Sequence, residues 1–415
     1  MKKIISQDNS VLNKDQVDNF ITDIADSGAF DNKNILVIIP DNTRSVPMPL
    51  LFDSLCSNLC PRTKKLDYLI ALGTHAPMSL DKINKHLGMD EGTRKVKYPS
   101  VDIYNHRWED KDTFVELGKI SENEVYEISD GLLKEEMRIS INEMILHYDL
   151  LLIVGPVFPH EVVGFSGGNK YFFPGISAGD MINLTHWLGA LLTIPNVIGI
   201  KDTPVRQLIN KAASFIHKEK LCLSLTVTKE GLKGIFFDTP ENSFEEAAEF
   251  SKQNHIIYKE KKYQTILAET PSKYDDLWTG GKCVYKLMGV ADKNAKLIVY
   301  APHITEISYS HGYMIKKIGY HVKDYFLKQW DQFEDYSKGI IAHSTHVKGL
   351  GTFENGKETP EIEVILASGI NERICKQINL GYINPDDVNI DDYKNKENEG
   401  ILYAPQAGEY LYLLK

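Results

Sequence analysis

Short runs of β-branched and aliphatic residues recur along the chain, and each stops abruptly in glycine and polar residues. In "NILVIIPDNTRSVP" the apolar run is continuous rather than alternating, which predicts a parallel strand buried on both faces with a loop at its carboxyl end. The grammar repeats in "LDYLIALGTHAPMS", which ends in Gly73-Thr74-His75, and in "YDLLLIVGPVFPHE", which passes Gly155 and reaches His160. Segments of helical length and spacing lie between them. Strands alternating with helices predict an α/β fold, and in open α/β sheets ligands bind beyond the carboxyl ends of the strands. The three polar clusters are therefore expected to converge.

Farther on, "LCLSLTVT" predicts a strand, and "TPENSFEEAAEFSKQ" predicts a helix with Thr239 as N-cap and Pro240 at the first helical position. The runs "YQTILAET", "AKLIVYAP" and "EIEVILAS" predict further strands separated by helix-like segments. A chain of 415 residues exceeds the roughly 250–300 at which one core stops growing, so two domains are expected. We place the boundary within residues 258–270: an N-terminal α/β domain over 1–262 carrying the polar clusters, and a C-terminal α/β domain over 263–415 contributing to the substrate pocket. The active site is expected in the interdomain cleft, and the last segment, "GILYAPQAGEYLYLLK", is expected to return to the first domain.

Composition narrows the function classes. With 42% hydrophobic and 25% charged residues, and no segment approaching the ~18 apolar residues of a membrane span, a water-soluble protein is expected. "MKKIISQDNSVLNKDQ" lacks an apolar signal core, which makes the cytoplasm the expected compartment. A net charge of -10 without a basic stripe argues against nucleic acid as a partner. Five scattered cysteines with no C-x-x-C pair argue against a disulfide framework and a thiolate zinc site.

Candidate chemistry concentrates in "PHEVVGFSGGNKYFFPGISAGDMINLTHW". Gly167, Gly168 and Lys170 suit either a structural turn or a phosphate cradle, although neither the Walker spacing nor G-x-G-x-x-G is present. A desolvated lysine is also a nucleophile toward activated carbonyl carbon. His186 alone is no metal site; one imidazole would need a cofactor to supply the other donors. His75 and His160, each just past a buried strand, suit general acid/base work on opposite sides of a substrate, as stereochemical inversion requires. Asp41-Asn42-Thr43-Arg44 offers a carboxylate, a hydroxyl and a guanidinium suited to a carboxylate substrate. "HSTH" (His343, His346) and "YNHRW" (His106) read as loop clusters with structural or peripheral roles.

Taken together, "DNTR", "GTH", "PHEVVGFSGGNK" and "THW" resemble the lactate racemase family, whose members use a nickel-pincer nucleotide. The resemblance is specific over residues 41–187, where His160, Lys170 and His186 keep the family's intervals of ten and sixteen. It implies that Lys170 is joined through a thioamide to a pyridinium mononucleotide and that His186 ligates nickel. A carbon and two sulfurs of the cofactor would complete a square-planar site. It further implies that His75 and His160 are the acid/base pair and that Arg44 holds the substrate carboxylate. Asp41, Thr43, Gly167 and Gly168 would then lie by the cofactor. The enzymes that make the cofactor become implied partners.

Two departures from the family pattern bear on substrate. Ala76-Pro77 follows Gly-Thr-His where the lactate enzymes have arginine. If Lys286 in "GGKCVYKLMGV" matches the family's substrate-pocket lysine, Lys282 and Cys283 replace tyrosine and glutamine. The expected activity is thus inversion at C2 of a 2-hydroxy acid other than lactate, such as a sugar acid or a hydroxy dicarboxylic acid. The alternatives are a 2-hydroxy-acid oxidoreductase with the same cofactor, or a non-catalytic nickel-nucleotide binding protein.

Overall fold

The computed structural model describes residues 1–7 and 10–415. It divides into two compact units, each built from more than one stretch of chain. The first comprises Met1–Phe158, Phe165–Ile182 and Arg206–Asn254; the second comprises Pro159–Gly164, Asn183–Val205 and His255–Lys415. The sequence expectation was a single cut at 262/263, whereas here the second unit also takes in the segments around His160 and His186.

The first unit holds a seven-stranded sheet of β1 (Lys2–Ile5), β2 (Asn34–Pro40), β3 (Lys65–Ala71), β4 (Ile103–Asn105), β5 (Leu150–Pro156), β6 (Glu219–Thr228) and β7 (Gly231–Asp238). Their spatial order is β1-β7-β6-β5-β2-β3-β4. From β4 to β6 all neighbours run parallel, while β7 and β1 add an antiparallel edge. The chain leaves β2 toward β3 on one side and later enters β5 on the other. This order makes the β2/β5 boundary the topological switch point, the place where strand ends open a crevice.

The apolar runs became strands because nearly every residue in them is covered: Ile35–Asp41 and Leu150–Val157 are buried throughout. Ile35, Val37 and Ile39 pack with Tyr68, Ile70, Leu152 and Val154 against α1 (Lys14–Ala25) and α2 (Met48–Leu59). Asn13 starts α1 by accepting from Gln16 N–H at 2.9 Å while Gln16 Oε1 accepts from Asn13 N–H at 3.0 Å, a reciprocal cap.

The second unit centres on a five-stranded sheet formed by Tyr263–Glu269, Ala291–Ala301, Ile362–Ser368, Gly381–Tyr382 and Ile401–Ala404. Its neighbouring strands are all parallel. The last strand, Leu411–Leu414, pairs in parallel with Ile256–Lys259 inside this same unit. Thr239 caps the helix Pro240–His255 as expected, its hydroxyl accepting from Asn242 N–H at 3.3 Å. Among the described residues the cysteines form no disulfide, and no helix is long and apolar enough to cross a membrane.

"HSTH" is not a loop. His343 and His346 lie on the helix Lys338–Lys348 and are buried. Polar composition suggested a turn, but tertiary packing overrode it. His106 follows β4, is buried, and lies 3.1 Å through Nδ1 from Asn142 Nδ2; burial pushes its pKa down to about 4.

Candidate functional site

In the first unit the carboxyl ends of β2 and β3 meet. The chain turns directly after Pro40, because Asp41 Oδ1 accepts from Thr43 N–H at 3.1 Å and from its hydroxyl at 2.6 Å. This leaves Asp41 Oδ2 to face His75 Nδ1 at 2.5 Å. Asp41 is buried, and burial alone would raise its pKa. The His75 hydrogen bond and charge, Arg44 and the Thr43 hydroxyl overcome that penalty and hold the carboxyl well below its usual range. An ionised Asp41 can only accept, so His75 carries a proton on Nδ1 and turns Nε2 away from the carboxylate. Arg44 lies 5.7 Å from the Phe158 ring centroid.

The glycine-lysine stretch is tied to the same loops. Gly73 N–H donates to Gly175 O at 2.9 Å, and Gly175 N–H donates to Lys170 O at 3.1 Å. One backbone relay thus links the His75 turn to the Lys170 turn. Gly155 is required at the end of β5 because a Cβ there would stand 2.2 Å from the Tyr171 ring. Gly167 (φ 93°) and Gly168 (φ 57°) turn the chain before Lys170, and a Cβ on Gly167 would meet Val157 at 2.5 Å. Buried Arg206 holds this turn from behind, donating to Gly167 O at 3.0 Å and Phe165 O at 2.5 Å with its guanidinium 4.0 Å from the Phe244 ring centroid. Sequence reasoning missed Arg206, since nothing in "TPVRQL" separates a buried arginine from an exposed one.

In the second unit His160 is buried on the two-residue strand Pro159–His160 that follows β5 in sequence. Its Nδ1 accepts from Val162 N–H at 3.2 Å in the tautomer that carries the proton on Nε2. Glu161 Oε2 lies 3.4 Å from the same Nδ1 and is the natural acceptor once that nitrogen is protonated. Glu161 was quoted within its motif but given no role, because its adjacency to His160 in sequence does not reveal a shared nitrogen.

His186 stands half-buried on the helix Gly179–Leu192. That helix is anchored to the start of Lys338–Lys348 through Asn183 Oδ1, which accepts from the Ser337 hydroxyl at 2.7 Å and Gly339 N–H at 3.1 Å. Trp187 stacks on Trp330 at 5.3 Å. The electrostatic neighbours of His346 include Glu161 and His186, and those of His343 include His346, His311 and His186. Lys286 is buried after a short helix, with Nζ 3.4 Å from Glu409 O.

Among the described residues no group of three or more His, Cys, Asp and Glu side chains is arranged to hold a metal. A lone half-buried imidazole such as His186 fits a metal only where a bound group brings the other donors.

The sequence profile of the lactate racemase N-terminal domain matches residues 16–194. Lactate racemase from Thermoanaerobacterium thermosaccharolyticum is 30% identical over 160 residues, covering 37% of this chain and 32% of that protein. Lactate racemase from Lactiplantibacillus plantarum is 26% identical over 155 residues, with the same 37% and 32% shares. The matched region thus spans about a third of the length of these curated relatives. Among solved structures, a protein from Thermotoga maritima is 30% identical with a TM-score of 0.90, covering 99% of this chain and 100% of that one. The lactate racemase apoprotein from T. thermosaccharolyticum has a TM-score of 0.71 at 16% identity, covering 95% and 88%, a likeness of fold.

Proposed function

We propose, from the match of residues 16–194 to the lactate racemase N-terminal domain and the likeness to two lactate racemases, that this lactate racemase-family chain inverts C2 of a 2-hydroxy acid other than lactate by coupled hydride and proton transfer. Lys170 would hold the nickel-pincer nucleotide covalently, and His186 would supply one imidazole to nickel. When bound, that group supplies the chemistry that takes up the C2 hydride and gives it back. The protein's own task is to orient the acid and to move one proton on and off its C2 oxygen.

The observation that carries this reading is the His75–Asp41 pair. With Nδ1–H held by the carboxylate, His75 Nε2 is set to take the hydroxyl proton as a planar 2-keto acid forms. Arg44 would grip the substrate carboxylate and stop the keto acid from drifting away between half-reactions. His160 in its protonated form, with Nδ1–H turned to Glu161, would return a proton from Nε2 to the oxygen after the hydride adds to the opposite face of C2. Once neutral, His160 keeps its remaining proton on Nδ1, turned to Glu161, and leaves Nε2 free to accept. The two histidines trade roles when the reaction runs backwards, so inversion in either direction uses the same four groups.

The test is intact-mass spectrometry with elemental nickel analysis on protein co-produced with cofactor-making enzymes, comparing wild type with Lys170→Ala. The expected result is an added mass of a sulfur-containing pyridinium nucleotide that disappears together with nickel in the variant. It should be accompanied by loss of optical purity in a panel of 2-hydroxy acids. If a family control enzyme loads under the same conditions and this chain gains neither adduct nor nickel, the proposal falls.

A further inference from the structure

Lys170 leaves the chain from the short 3₁₀ turn Gly168–Tyr171, and its backbone is held on both sides: its N–H donates to Gly167 O at 3.3 Å and its carbonyl accepts from Gly175 N–H at 3.1 Å. What remains to be fixed is the direction of the side chain. In a turn of about three residues per revolution neighbouring side chains point about 120° apart, so whatever pins residue 169 also aims residue 170. Asn169 is firmly pinned. It is 1% exposed, its Nδ2 donates to Glu241 Oε1 at 2.6 Å and to Asn210 Oδ1 at 3.0 Å, and its carbonyl accepts from Phe172 N–H at 3.0 Å and Phe173 N–H at 2.9 Å.

The carboxylate decides which way the amide faces. A carboxylate oxygen only accepts, so the atom of Asn169 that meets Glu241 Oε1 is the nitrogen, and Asn169 Oδ1 is turned elsewhere. That oxygen is buried and has no hydrogen-bond partner among the described residues. A buried acceptor without a donor costs stability, so the amide is held in this orientation at the expense of the fold. Stability therefore does not account for Asn169; placement of its neighbour does.

Glu241 is itself well mounted. It stands in the first turn of the 16-residue helix Pro240–His255, where the helix dipole favours a negative charge. The glycine turn rests on that same end of the helix: a Cβ on Gly168 would come within 3.0 Å of Phe244 Cβ and 3.1 Å of Pro240 O. Asn210 comes from the helix Pro204–Ala213, which also supplies Arg206, the brace behind Gly167. All of these groups lie in the first compact unit.

We propose that Asn169 and Glu241 are positioning residues for Lys170: the carboxylate holds the amide, and the amide aims the lysine amine out of the turn for covalent attachment. Both act through Lys170 rather than on the substrate. The inference deepens the reading in which Lys170 carries the nucleotide, and it rests on that reading. A displacement of about 1 Å can cost about a hundredfold in a step that needs close approach, so loss of the Asn169–Glu241 bond should show in how readily Lys170 reacts.

The experiment compares wild type with Asn169→Asp, Glu241→Ala and the double variant Asn169→Asp/Glu241→Gln, in which donor and acceptor change places. Each full-length protein is co-produced with cofactor-making enzymes for intact-mass measurement of the adduct. A second sample of each, without cofactor, receives a trace of acetic anhydride and its acetylated lysines are mapped by peptide mass. Each single variant should lower adduct occupancy about tenfold or more and slow acetylation of Lys170 about threefold or more relative to exposed Lys134 and Lys229, while the double variant returns to within about twofold of wild type. Urea midpoints separate placement from folding, since Glu241→Ala should lose occupancy while its midpoint stays near that of wild type. The inference is overturned if the single variants load and acetylate as wild type does, if the double variant stays as poor as the single ones, or if occupancy falls only in proportion to unfolded protein. If wild type gains no adduct while a family control enzyme loads, the cofactor reading falls, and the acetylation pattern alone then decides the placement, with equal Lys170 rates in all four proteins overturning it.

Discussion

At the strand ends of the first unit Asp41 is a buried acid kept charged, with His75, Thr43 and Arg44 outweighing the cost of burial. In the second unit His343 and His346 are buried bases kept neutral, with stacking on Trp278 and edge contact with Tyr285 but no hydrogen bond at either Nε2 among the described residues. The difference teaches what decides the charge of a buried group: burial opposes ionisation in both regions, and only the first supplies partners that outweigh it.

The largest expected effect comes from breaking the His75–Asp41 hydrogen bond. Asp41→Asn should lower turnover of the nickel-loaded protein by about 10²–10⁴-fold, because an amide can donate to Nδ1 and favour the wrong tautomer. Glu161→Gln, removing a longer 3.4 Å contact, should cost only about tenfold. Rates at matched nickel content, with ¹⁵N chemical shifts of the histidine rings to report the tautomer, would check both. Equal losses in the two variants would erase the asymmetry between the two histidine–carboxylate pairs.

Next comes the support behind the glycine-lysine turn. Arg206→Leu should destabilise the protein by about 2–4 kcal/mol, since it strips two buried carbonyls of their donor. Urea unfolding measures this, and wild-type stability would mean that the turn stands without its brace.

The contrast also predicts a pH dependence. His106 and His346 have folded pKa values lowered to about 4 from an ordinary 6.5, so they favour the folded state fully above pH 6.5. That contribution is lost as pH falls through the folded values, at about 1.4 kcal/mol per pH unit for each group between 6.5 and 4. The depressed Asp41 carboxyl has the opposite range: its contribution persists down to its ordinary value near 3.8 and is lost only below it. Urea midpoints from pH 7 to 4.5 should therefore decline, and less so in His106→Asn. A flat profile would refute the neutral burial of the histidines.

The smallest effect expected is that of Thr43→Val. It removes one 2.6 Å hydrogen bond to Asp41 while leaving the His75 contact, and should cost about 1 kcal/mol by thermal unfolding.

Much of this was legible in the chain. The buried runs at Asn34–Pro40, Lys65–Ala71 and Leu150–Pro156 are strands that end where their polar residues begin, because a fully buried parallel strand leaves its own periodicity in the text. His75, His160 and Lys170 stood out as candidates because each follows a strand end or a glycine turn, whereas His186, inside the helix Gly179–Leu192, was singled out only through the family resemblance. Arg206, Glu161 and the buried pair on Lys338–Lys348 were not. Polar residues in helices carry no sign of burial, and "HSTH" looks like a loop until a tryptophan more than sixty residues earlier is laid across it.

By itself, then, the sequence determined the alternating α/β grammar, the caps and the glycine turns, all of which depend on interactions between near neighbours. Tertiary structure alone decided which nitrogen of His75 faces Asp41, which carbonyls Arg206 holds, and that two histidines are buried with polar atoms to spare. Hydrogen-bond partners and dielectric surroundings come from residues far apart in the chain, and no local pattern encodes them.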